Sequence, residues 1–396
     1  MQNILTKKNI IIALAVLVIF FFGAGAYWYY SDNNKDNKSG GILGRFFPEG
    51  ENKENTSGEN NNSSGGNPTG GEVKNTESFQ LVKEPVSGAI FIKAPKGGVS
   101  KIRYIEKATG DLYEMGANGE DKSKIAATNI PWAFDVIWSP DGRRAILKTV
   151  SGDKMNATIA TFSGSSVKTA FLPEGARDVV FSPKGDRIAY VLQSGDDGSI
   201  ITSTVDLKNK ITRLKLKFSS WKLFWPEEGN IYALTSPSAF LDGHLYRINL
   251  ASGAFTKILN QKAGLTAAIN STAILFSETD AGNKTMNLFL SNNLGSKIAP
   301  LPIKTLPEKC IWSPKKKEVA YCATPVALPT ASYPDDWYKG KINFEDTIIK
   351  IDLGTKSFDS ILIPQQGDAT NLFLSDDETI LFFINKSDSS LWKIKL

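Results

Sequence analysis

Beyond about residue 78 the chain reads as short runs of alternating apolar and polar residues, each run broken by a turn. Four of the breaks are alike: WSPDG (138–142), FSPKG (181–185), WPEEG (225–229) and WSPK (312–315), with prolines at 140, 183, 226 and 314. The first two gaps are 43 residues each and the third, 88, is twice 44. Each turn joins one apolar strand to another, as in FSPKGDRIAYV (181–191), and weaker copies stand at LTAAINSTAILF (265–276) and NLFLSDDETILFFI (371–384). Second hairpins follow the first, at YIEKATGDLYEM (104–115), TSTVDLKNKITRLKL (202–216), HLYRINLASGAFTKIL (244–259) and TIIKIDLGTKSFDSIL (347–362). Alternation around Gly, Asn or Asp turns is the signal of a β-hairpin.

Two hairpins per unit of about 40–45 residues predict a β-propeller, because a four-stranded blade cannot bury both its faces alone and must stack on its neighbours around an axis. First strands at about 88–94, 134–139, 177–182, 221–226, 265–270, 308–313 and 370–375 give seven blades. The last unit runs out of chain after SLWKIKL (390–396), and SFQLVK (78–83) is expected to supply its missing outer strand, closing the ring and covering an open sheet edge. The predicted propeller therefore spans residues 78–396.

The Trp/Phe-Ser-Pro-x-Gly turn followed by an apolar strand resembles the repeats of TolB-like and WD-like propellers, over roughly residues 85–396. The resemblance implies a binding platform, with peptide segments held at the channel mouth. The peptidase members carry a separate hydrolase domain, for which residues 78–396 leave no room.

Ahead of the propeller, residues 9–30 (NIIIALAVLVIFFFGAGAYWYY) hold no charge, and 22 helical residues span about 33 Å, enough for a bilayer core of about 30 Å. Lys7 and Lys8 precede the run and Tyr27, Trp28, Tyr29 and Tyr30 close it. That arrangement predicts a transmembrane anchor with residues 1–8 in the cytoplasm and the propeller outside it. The alternative is a signal peptide cleaved after Ala26, which gives the same compartment. Residues 31–77 are rich in Asn, Gly, Ser and Glu and predict a flexible linker, about 35–40 Å in mean reach. Its one apolar patch, GILGRFFP (41–48), is either an incidental contact or a short docking motif.

Net charge is only +5, from 46 basic and 41 acidic residues, and no block of Lys and Arg with interleaved aromatics occurs, so a nucleic-acid partner is not expected. The single histidine, His244, excludes a His-rich zinc site, and there is no nucleophile elbow, phosphate loop or calcium loop. No catalytic residue, metal or cofactor is assigned. Cys310 and Cys322 flank one hairpin turn, and a register that sets Trp312 opposite Ala320 would set them opposite each other, as a disulfide or as two buried thiols.

Two sets of residues are candidates for ligand binding. Three positions before each turn aromatic, where the innermost strand enters the channel, stand Asp135, Asp178, Lys222, Thr266, Lys309 and Asn371, all polar. The bland account is a ring of strand-start residues bonding to one another; the functional one is a mixed-charge funnel. In the sixth blade the connection from Ala323 to Asp346 is long and carries Tyr333, Asp335, Asp336, Trp337 and Tyr338, which either capture a ligand or form the loop's own core. The leading expectation is a membrane-anchored, non-enzymatic scaffold for a protein or peptide partner in the cell envelope. The alternative is a carbohydrate-active or lyase-type propeller enzyme using the carboxylates of the channel mouth.

Overall fold

A computed structural model describes residues 73–94, 98–152, 154–280, 282, 284–362 and 367–396. The anchor at 9–30, most of the linker and the 41–48 patch lie outside the described residues. Among the described residues no helix is long and apolar enough to cross a membrane.

The periodic turns become the corners of seven antiparallel sheets, whose first strands are Val86–Ile92, Asp135–Trp138, Ala176–Phe181, Trp221–Glu227, Ala267–Ile269, Cys310–Trp312 and Ala369–Leu374. First strands of blades 1 and 2, 3 and 4, and 7 and 1 pack against each other around the channel. Second strands are apolar without alternation, as in Ile188 to Val191 and Ile231 to Leu234, all fully buried, because neighbouring blades cover both of their faces. Ile146 and Ile159 of the second blade thus share one core with Val179, Ile188 and Tyr190 of the third.

The repeated turn also joins blades. The Ser139 hydroxyl donates to Asp141 Oδ1 at 2.6 Å and accepts from Arg144 N at 2.9 Å, which closes the turn on itself. Gly142 sits at φ +64°, and a Cβ there would lie 2.0 Å from Ile92 Cδ1 of the first blade. Its carbonyl accepts from Arg103 Nη1 of that blade at 2.8 Å, and one repeat later the Gly185 carbonyl accepts from Arg144 Nη1 at 3.2 Å. The spacing in sequence follows from this contact, since each turn must meet its neighbour at the same height.

Ser78–Val82 pairs antiparallel with Leu391–Lys395 and closes the ring as expected. Two features differ from the sequence reading. The 104–115 hairpin joins the second and third strands of the first blade, Lys101–Glu106 and Asp111–Gly116, because that blade's first turn runs long and delays the second strand. A strand also stands before residue 78: Val73–Asn75 runs parallel to Ser357–Leu362 as a fifth strand on the sixth blade. In the same blade Cys310 stands opposite Cys322, Cα atoms 4.0 Å apart, and the two are bonded.

A four-stranded meander places its first and third turns on one face and its second turn and exit on the other. The Ser-Pro turns thus occupy one end of the channel. The connections between blades, together with the long connection of the sixth blade, surround the opposite mouth.

Candidate functional site at the channel mouth

Asp135 opens the first strand of the second blade, and the tight WSPDG turn fixes its partner on the second strand as Lys148. The Lys148 ammonium lies 3.1 Å from Asp135 Oδ2 and 3.3 Å from Asp178 Oδ1 of the third blade. Asp178 Oδ2 accepts from the Leu223 amide of the fourth blade at 2.6 Å, so one carboxylate ties three blades together. Beside it Lys222 reaches over the fifth blade to Glu308, at 2.7 Å, and Glu308 also accepts from the Tyr338 hydroxyl at 2.5 Å. These groups border a cavity of about 580 Å³, lined by Asp135, Lys148, Asp178, Lys222 and Tyr338 among others.

Burial works against the charge on Lys148, but Asp178 and Asp135 outweigh it and hold its pKa above the ordinary lysine value. Lys222 behaves alike: burial lowers it, Glu308 more than compensates, and the net direction is upward. Burial and the Glu308 charge push the Tyr338 hydroxyl well above its ordinary value. At neutral pH the mouth therefore presents two fixed cations and a protonated phenol, and a proton acceptor there has to be a carboxylate. Asp135, its side chain 37 % exposed against 20 % for Asp178, is the more accessible of the two.

The structure brings three of the six ring residues, Asp135, Asp178 and Lys222, into this cavity. Thr266 is buried and bonded to Ser277. Asn371 is exposed at φ +50°, at an irregularity of its strand. Lys309 is fully buried between Asp346, at 2.8 Å, and Asp368. Asp368 Oδ2 in turn accepts from the Trp337 indole at 2.7 Å, and Asp346 Oδ2 from the Ala369 amide at 2.7 Å, while Asp346 Oδ1 is buried with no hydrogen-bond partner among the described residues. Lys148 and Glu308 were missed in the sequence, although Lys148 follows from folding the hairpin about its turn and Glu308 adjoins a ring position.

The long connection, residues 326–345, is a strap with a core of its own. Tyr333, Trp337 and Phe344 pack with Met286, Leu306 and Ala331. Tyr333 is wholly buried, its hydroxyl bonded to the Pro329 carbonyl, and Trp337 is 6 % exposed, so neither presents a face to a ligand. Asp335 accepts from the Ala239 amide of the fourth blade at 2.6 Å, and Asp336 from Ser332 N at 2.9 Å. Of the strap residues singled out in the sequence, Tyr338 alone lines the mouth, 43 % exposed. His244 accepts from the Gln261 amide at 3.3 Å.

Burial pushes the Asp346 carboxyl up to about 6, against the opposing pull of Lys309. The folded chain thus binds this proton more tightly than the unfolded chain, whose carboxyl titrates near 3.8. The resulting contribution to stability is full below the unfolded value and is lost as pH rises through about 6. Between pH 7 and 4 the native chain is expected to gain about 2 kcal/mol relative to Asp346→Asn. Urea unfolding of both at each pH measures it, and a constant difference would assign the proton elsewhere.

No protein-family model matches the chain, and no curated protein sequence matches it. Solved structures do. The tricorn protease is similar at 9 % identity and TM-score 0.50, over 81 % of this chain and 34 % of the protease, so the chain spans about a third of that molecule. Oligogalacturonate lyase, solved from Vibrio parahaemolyticus and also in complex with manganese, is similar at 8 % identity and TM-score 0.51, over 81 % of this chain and 98 % of the lyase. TolB from Acinetobacter baumannii follows at 10 % identity and TM-score 0.43, over 78 % of this chain and 63 % of TolB, too loosely to carry an argument.

The chain is a seven-bladed β-propeller.

The protease and the lyase, similar at TM-scores of 0.50 and 0.51, are enzymes, and this corrects the expectation of a non-enzymatic scaffold. The enzyme alternative is the better backed. The lyase is matched over nearly its whole length. At these identities the likeness itself shows the fold alone. Among the described residues no three of His, Cys, Asp and Glu gather into a metal site, so the lyase's manganese is not carried over.

Proposed function

We propose that the chain is a carbohydrate-active propeller enzyme of the lyase type, with its active site at the channel mouth. The observation that carries this reading is the convergence of Asp135, Lys148, Asp178 and Lys222, from three blades, on one open cavity. In a β-elimination on a uronate chain, Asp135 takes the proton from the carbon beside the sugar carboxylate. The electron pair left there forms a carbon–carbon double bond as the glycosidic C–O bond at the next carbon breaks, and the leaving oxygen takes a proton from water. Lys222, held protonated by Glu308, takes the sugar carboxylate as a second partner and offsets the charge that grows on it. Lys148 keeps Asp135 and Asp178 apart and aimed. Incubation with oligogalacturonate and detection of an unsaturated, ultraviolet-absorbing product test the reading; hydrolysis products alone, or none, would overturn it.

We further propose that the uncharged run 9–30 anchors the enzyme in the membrane with the propeller outside the cytoplasm, a reading supported by Lys7 and Lys8 before the run and the aromatic residues after it. Protease added to intact cells should then remove the propeller from the membrane fraction. Full protection would contradict this orientation, and a mature chain beginning after Ala26 would replace the anchor with a signal peptide.

A further inference from the structure

Six of the described residues with large apolar side chains left exposed by the fold lie on one face. Trp132 (68 %) and Phe134 (48 %) stand in the connection from the first to the second blade, Phe218 (45 %) in that from the third to the fourth, and Phe240 (65 %) and Leu241 (69 %) in the fourth blade's second turn. Together with Tyr338 they occupy the connections that surround the channel mouth. Phe134 and Tyr338 line the cavity itself, Phe218 adjoins its Ser219, and Phe240 lies three residues beyond its Pro237. Phe218 also stacks on Trp221 at 4.7 Å, which holds its ring in place. Apart from Phe218, which stacks on the core residue Trp221, these side chains stand outside the blade cores, and exposed aromatics in this number mark a binding surface.

We infer that this aromatic crown is the docking surface for an acidic polysaccharide, which crosses the mouth and extends beyond it on both sides. The occupant follows from what the crown encloses. Apolar rings suit the flat C–H faces of sugar rings, whereas the cavity between them is lined by Ser219, Ser220, Ser236 and Gln193, which suit hydroxyl groups. Lys222, which also pairs with Glu308, places an ammonium at the centre, and the exposed Arg177, bonded to Gln193 at 2.5 Å, places a guanidinium at the rim. A lipid surface would cover the rings but leave this polar hollow unfilled. A polymer chain fills both, and its carboxylates meet the cations. The inference rests on the proposed function for the polymer's chemistry, and it adds that the binding site is longer than the reacting sugar.

The test is binding to polygalacturonate and to a trigalacturonate, measured by calorimetry, with dextran and anionic phospholipid vesicles as controls. The native chain and three variants are compared: Trp132→Ala, Phe240→Ala and Asp135→Asn. Both aromatic side chains are exposed, so their removal should leave the thermal midpoint nearly unchanged. Polymer affinity is expected to fall about tenfold in each aromatic variant, with trimer affinity unaltered. Asp135→Asn should retain the polymer. Unchanged polymer affinity in Trp132→Ala and Phe240→Ala would overturn the crown, and so would aromatic-dependent binding of vesicles in place of polymer. Crown-dependent polymer binding without turnover by the native chain would uphold this inference while refuting the lyase; turnover of the trimer without polymer binding would do the reverse.

Discussion

Lys309→Met is expected to destabilise the propeller by about 3–5 kcal/mol at pH 7, among the largest single-residue effects in the molecule. The Lys309 ammonium is wholly buried between the carboxylates of Asp346 and Asp368, which are wholly buried as well. Methionine fills nearly the same volume, so the loss measures charge, and it leaves two buried carboxylates with the half-buried Lys386, 3.8 Å from Asp368, as their remaining cation. The variant should recover part of the loss as pH falls and the carboxylates take up protons. Adding Asp346→Asn and Asp368→Asn to it should restore more stability than either change alone, because the three groups act as one unit. Urea unfolding of the single and triple variants measures these terms, and a loss under about 1 kcal/mol would mean that the cluster is hydrated. Because Asp368 also holds the Trp337 indole and the Phe344 amide, the same substitution should loosen the strap, seen as faster hydrogen exchange over residues 326–345.

This cluster marks where the sequence stops being legible. The blades could be read because a tight turn between two apolar strands recurs at a nearly fixed spacing, in its sharpest form as the Ser-Pro turns with Gly142 and Gly185 at positive φ. The closing strand could be read because the last blade was short of one. Alignment of the repeats also brought out Asp135, Asp178 and Lys222, since equivalent positions on inner strands face one channel. The same alignment equated Lys309 with them, although the strap covers that part of the ring and turns its lysine into a buried ion pair. Nor does an insertion of 20 residues announce which of its aromatics are core: Trp337 and Tyr338 are neighbours, yet one packs inward on Phe344 and the other faces the mouth. Lys148 and Glu308 could be found only by pairing strands across a hairpin and across the channel, which repeat spacing does not report. Function was the least legible, because a propeller's period records how blades stack and carries no information on what the mouth does.

The second large effect belongs to the mouth. Asp135→Asn is expected to lower kcat on a uronate chain by about 10²–10⁴-fold while changing KM little, since an amide cannot accept the proton but still fits the site. Asparagine preserves the shape of the side chain and an acceptor for Lys148, so circular dichroism and the thermal midpoint should stay near those of the native chain. Asp178→Asn separates the roles of the two carboxylates. It weakens the bond to the Leu223 amide that joins the third and fourth blades, so its cost should appear in stability as well as in rate. Lys222→Met should instead raise KM, because it removes the cation that seats the sugar carboxylate, and kcat should fall further only to the extent that this charge acts in the transition state. Should Asp178→Asn, and not Asp135→Asn, abolish turnover with the fold intact, the proton acceptor is the carboxylate that joins the blades, and the more exposed Asp135 serves only to keep Lys148 charged. Equal activity in all three variants would take the chemistry away from the mouth altogether.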